Sequence, residues 1–213
     1  MTSGGVPSLR ELYTQDYSKA ADWYEIYVRE AHPGEIYPAP GSFEEKMAHA
    51  RDFKRLEDIP WPVLVDDLDG TVHRAYGELP NSAYVINAEG RIAFKDQWAS
   101  APTLRSALDE LEKCAGRCTP VAGGVERTMS MLGPMAFGWH AIQRAGNRAV
   151  RDLVLKAPPL AAMLYVGHLM QPAIAPAARR TKPLSPQFKV GALLGVGVLA
   201  AFLVVALALI RRR

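Results

Sequence analysis

Cysteine is nearly missing from this chain: its 213 residues hold two, Cys114 and Cys118, and none earlier. That scarcity excludes a disulfide-stapled scaffold and a cysteine-rich zinc module. The spacing Cys114-Ala-Gly-Arg-Cys118 is neither a C-x-x-C pair nor half of a zinc site, so both residues read as reduced thiols in a linker, with a resolving role as the lesser alternative. Metal-ligand clusters are missing as well. Asp66, Asp67 and Asp69 lie together without the further ligands of a calcium loop, so a turn is the better reading, and neither metal nor cofactor is expected. An even charge distribution is the third thing lacking. The formal net charge of +3 conceals an acidic head, with 13 basic against 20 acidic residues up to Arg117, and a tail with 12 basic and 2 acidic.

What is present reads as alternating helices and strands. Leu9, Leu12 and Tyr13 mark a helix entered through Pro7-Ser8, and residues 23–28 read as a strand. Ser42 and Glu45 have the spacing of a capping box, opening a helix to about Leu56 with Phe43, Met47 and Ala50 inward. Residues 62–65 form a short apolar run stopped by Asp66-Asp67, suited to a buried parallel strand. Residues 83–86 and 91–94 flank a four-residue connection in which Gly90 supplies the positive φ of a hairpin turn. From Ser100, an N-cap, Leu104, Ala107, Leu108 and Leu111 recur at helical spacing. The order predicts a mixed sheet covered by helices on both faces, closed by an antiparallel hairpin.

Two segments carry a resemblance. Residues 23–35, WYEIYVREAHPGE, and residues 75–86, AYGELPNSAYVI, resemble the strand, Glu-Ala-His and Ala-Tyr-Gly-Pro signatures of iodothyronine deiodinases and their redoxin-like relatives. The likeness covers roughly residues 7–111. It implies an α/β fold with a thioredoxin-like mixed sheet and a cysteine or selenocysteine just after the first strand. This chain has neither there. Residues 1–8 look like the downstream side of that turn, so the sheet is expected to lack its first strand and the natural chain to start earlier. A genuine short form that has lost the chemistry is the equal alternative.

The resemblance also assigns roles. Glu30 and His32 match the family's Glu-x-His, the imidazole moving a proton and the carboxylate assisting, for which histidine's near-neutral pKa is suited. Read from residue type alone, both cap a strand end and face solvent. Pro80 corresponds to the proline that thioredoxin-like sites hold in cis beside the nucleophile. His73 and Arg74 read as a solvated face first and substrate contacts second, and His49, on the second helix, as a surface residue first and a lining residue of the site second.

Residues 190–210 carry no charge and have the length of a bilayer-spanning helix, with Arg211, Arg212 and Arg213 beyond them. A single-pass C-terminal anchor is expected, and the basic excess before it keeps the N-terminal domain cytoplasmic. Leu132, Met135, Trp139, Ile142, Gly146, Ala149 and Leu153 recur at spacings of three and four residues, with Arg144, Arg148 and Arg151 on another face. Two readings fit them: a basic amphipathic helix on an anionic membrane surface, or a helix packed on the head. The expected organisation is therefore a thioredoxin-like domain over 1–117, a basic linker with interfacial helices over 118–189, and a transmembrane helix over 190–210.

The function implied is that of a membrane-anchored, deiodinase-like redox protein. Its partners would be membrane lipid, a thiol reductant, and a small-molecule or protein-disulfide substrate, with no nucleic acid. The rival is a non-catalytic, membrane-tethered binding or scaffold domain.

Overall fold

Val6, Leu9 and Leu12 recur at helical spacing and are buried on one side of α1 (Val6–Leu12), with Pro7 in the first turn where no intrahelical N–H bond is lost. The helix continues as a π-helical turn, Tyr13–Tyr17. The computed structural model describes residues 4–30, 33–79, 81–122 and 127–183. Next come β1 (Glu25–Tyr27), α2 (Phe43–Leu56), β2 (Val63–Val65), α3 (Thr71–Ala75), β3 (Ala83–Ile86), β4 (Ile92–Asp96) and α4 (Ala101–Lys113). α2 starts at Ser42, whose Oγ accepts the Glu45 N–H at 3.1 Å, while Glu45 Oε2 accepts the Gly41 N–H at 2.7 Å. The buried stripe of α4, including Leu104, Ala107, Leu108 and Leu111, packs with α1 and the hairpin in the first core. Tyr13, Trp23 and Trp61 meet at the border of that core with ring centroids 5.4–5.7 Å apart.

One mixed sheet does not form among the described residues, which corrects the expected thioredoxin-like sheet. β1 and β2 pair in parallel as one two-stranded sheet, and β3 and β4 pair antiparallel as another. The reason lies in the edges. Glu25 N–H bonds the Pro62 carbonyl and the Tyr27 carbonyl accepts the Asp66 N–H, so by alternation Ile26 turns its backbone groups away from β2. On β4, the Ala93 carbonyl accepts the Val121 N–H on the outer side, so β3 is bonded through Val85 and Tyr84 points its backbone the other way. No described strand lies between those two edges.

The described part of the tail is largely helical. α5 (Arg127–Ala145), α6 (Asn147–Lys156), α7 (Pro158–Leu169) and α8 (Gln171–Ala178) follow, with Ile142, Ala149, Leu153, Ala161 and Leu164 forming a second core. The amphipathic pattern is thus used for packing: Gly146, at φ 109°, breaks it into two helices. A further correction concerns the membrane. No helix among the described residues is long and apolar enough to cross one. The apolar stretches are cut short at Gly146, Ala157 and Met170, and their buried faces cover one another. That finding overturns the transmembrane helix in the expected fold and the single-pass placement, with a cytoplasmic N-terminal domain, built on it. Residues 190–210, on which the expectation rested, lie outside the described residues.

Candidate functional site

The two unpaired edges face one cleft of about 1190 Å³. Ile26 and Tyr84 stand on its strand walls, Leu104 and Leu108 line it from α4, and Ala141 and Ile142 from α5. The volume exceeds the roughly 300–1,000 Å³ of small-molecule sites, so a small ligand fills only part of it, and the lining is largely apolar and aromatic, as such sites require.

Its polar groups are unusual in being unanswered. Among the described residues, five buried side-chain polar atoms have no hydrogen-bond partner, and four belong to cleft residues: Trp23 Nε1, His49 Nδ1, His73 Nε2 and Asn81 Nδ2. Each such group costs about 1–3 kcal/mol when left unpaired, and these four atoms, themselves buried, belong to side chains that line the cleft. Two carboxyls join them. Burial pushes Glu25 up to about 7, opposed by a hydrogen bond from the Trp61 indole and reinforced by Glu57. Burial also raises Glu30, opposed by the charge of His49. A carboxyl held near neutrality in an apolar cleft can both give and take a proton. The His49 ring stands edge-on to Tyr37 at 5.3 Å between centroids.

Of the residues expected to carry chemistry, Glu30 lines the cleft. His32 and Pro80 lie outside the described residues, although Leu79 and Asn81, on either side of Pro80, both line it. The cis X-Pro bond among the described residues is Thr119–Pro120. His49 and His73, read from sequence as surface residues, are buried against the cleft instead. The signal for His49 was its register: Lys46, His49, Ala50 and Phe53 share one face of α2, and the first three are buried. Charge masked that face, because Lys46 is buried through its Nζ bond to the Asp67 carbonyl at 2.6 Å.

Asp66 and Asp67 serve as caps. Asp66 accepts the N–H groups of Val72 and His73 at 2.9 Å, and Asp67 that of Thr71 at 2.9 Å, which ties down α3. No cluster of metal-binding side chains occurs among the described residues. Cys114 and Cys118, expected as reduced thiols, are bonded to each other. The protein has no other cysteine.

No family model matches this chain, and no solved structure matches it. The type II iodothyronine deiodinase of Petromyzon marinus is 30% identical to it over 92 residues. The match takes in 38% of this chain, which spans only 31% of that relative's length. Over part of its length the chain therefore bears a deiodinase-like relationship, and a redoxin-like fold is not confirmed.

Proposed function

We propose that the chain is a deiodinase-like redox domain whose cleft seats an oxidised or halogenated small molecule, or a protein disulfide, for reduction by a thiolate or selenolate. Glu30 carries this reading. It is a carboxyl in an apolar cleft whose pKa burial raises, and its segment is one of the two that resemble deiodinases. The thiolate or selenolate takes the halogen from carbon as a chalcogen–halogen bond and leaves the bond's electrons on carbon, where a proton is needed. His32 delivers it, Glu30 supports the transfer, and a thiol reductant then displaces the halide by forming a disulfide or selenenyl sulfide. The apolar walls suit a ring. A non-catalytic binding domain is the second reading, favoured by the bonding of both cysteines, which leaves no free thiol in the chain.

An iodinated phenol titrated into the intact protein tests the cleft. Binding is expected to quench Trp23 and Trp61 fluorescence and to weaken in Asn81→Leu. Chemistry is tested by fusing a strand-forming segment with one cysteine ahead of Met1, so that a thiol reaches the cleft. Halide release is expected, falling about a hundredfold or more in His32→Ala. Binding without halide release from the fusion selects the binding-domain reading; no binding at all overturns both.

A further inference from the structure

The Cys114–Cys118 bond is poorly suited to stapling. It bridges positions only four apart in sequence, at the C-terminal end of α4, so it removes little entropy from the unfolded chain. The loop inside it is strained: Ala115 and Gly116 both adopt left-handed backbone, at φ 52° and 75°, and Ala115 does so with a Cβ. The loop is also held in place by other means. The Ala88 N–H bonds the Gly116 carbonyl at 2.9 Å, and Asn87 Nδ2 donates to Thr119 Oγ1 at 2.7 Å and to the Arg117 carbonyl at 3.3 Å. Two sulfurs in this loop therefore stay neighbours whether or not they are bonded. Cys114 Sγ accepts the Cys118 N–H at 3.2 Å and lies 3.1 Å from the Leu111 carbonyl, so its place at the end of α4 is fixed by the backbone. Both cysteines are half-buried, and Ala115 and Gly116 line the rim of the cleft.

We propose that Cys114–Cys118 is a redox-active pair that exchanges with a dithiol. The donor's thiolate attacks one sulfur of the pair, forming a mixed disulfide and expelling the other as a thiolate. The donor's second thiol loses its proton and attacks the donor sulfur of that mixed disulfide. This releases the second cysteine as a thiolate and leaves the donor as a disulfide. Two electrons and two protons pass from donor to pair once both thiolates are protonated. The reverse sequence lets the reduced pair reduce a disulfide brought to the rim. This inference stands independently of the deiodinase-like reading, because it concerns no halogenated substrate.

The intact protein equilibrated with graded ratios of reduced to oxidised glutathione, quenched with a maleimide and weighed by mass spectrometry, tests it. Reduction is expected at millimolar glutathione with an unchanged far-ultraviolet spectrum. A bond that opens only when the protein is unfolded overturns the proposal.

Discussion

Glu25 begins a strand yet titrates like a core group. Its carboxyl is half-buried beside Trp61 and near Glu57, and its pKa rises from 4.5 to about 7. The folded chain thus holds this proton more tightly than the unfolded chain does. The associated stability is complete below the ordinary value of 4.5 and is lost as the pH rises through 7. Glu25→Gln is expected to raise stability at pH 8 by about 1–2 kcal/mol, allowing for screening by the solvent it still meets, and to change little at pH 4. Urea unfolding at the two pH values checks this; equal effects at both would show that the carboxyl is not strained. Lys46 is the opposite case, a buried cation kept by a carbonyl and by the nearby charges of Asp66 and Asp67. Its side chain is only 2% exposed and its Nζ reaches the Asp67 carbonyl at 2.6 Å, joining α2 to the loop that caps α3. Lys46→Met removes the charge-assisted bond from that carbonyl, which keeps the Gly70 N–H at 3.3 Å, and is expected to cost about 1–3 kcal/mol in the same assay.

At the level of elements, several helices depend on groups far away in the chain. α6 begins after Gly146, which has no side chain to cap it, and Glu35 supplies the cap. Its carboxylate accepts the Asn147 N–H and, at 2.8 Å, the Arg148 N–H. These backbone donors hold its pKa below the ordinary value. Stability from this contact is present above the unfolded-state pKa and is lost as the pH falls through the folded-state value. Glu35→Gln is therefore expected to lower the melting temperature at pH 7 and to leave it unchanged near pH 2. Close approach of α5 and α7 depends on Gly167, where an added Cβ would collide with the Met135 carbonyl. Gly167→Ala is expected to cost about 1–3 kcal/mol by forcing the two helices apart, despite alanine's better helix propensity. A gain in stability would show that α5 and α7 do not pack this closely.

Across the whole molecule, two cores enclose a cleft whose strand edges are unpaired. Two-stranded sheets are marginal alone, so β1–β2 and β3–β4 rely on the helices packed against them. Amides at unpaired edges open to solvent without unfolding. Ile26 and Tyr84 are therefore expected to exchange their amide hydrogens faster than Tyr27 and Val85, whose backbones are engaged within the pairs. Hydrogen exchange by NMR reads this directly, and protection of Ile26 and Tyr84 in the free protein would mean that the edges are covered. A ligand seated in the cleft is expected to slow both.

Local structure followed from the sequence alone. The β3–β4 turn was legible because Gly90 supplies its positive φ, at 78°, and α2 began at Ser42 because a serine oxygen three residues ahead can hold the Glu45 N–H. The stripe of α4 was legible because its apolar residues recur at 3.6. These features depend on neighbours within a turn or two. The sequence also singled out Glu30 through its resemblance, but not its environment. Tertiary structure decided whether β1 and β3 would share a sheet, since edge pairing depends on what lies between strands distant in sequence. It decided that His49 and His73 would be buried without partners in the cleft, that Cys114 and Cys118 would bond, and that Glu35 would cap a helix more than a hundred residues away. It turned the apolar tail helices toward one another, because periodicity shows that a face will be covered and leaves open by what.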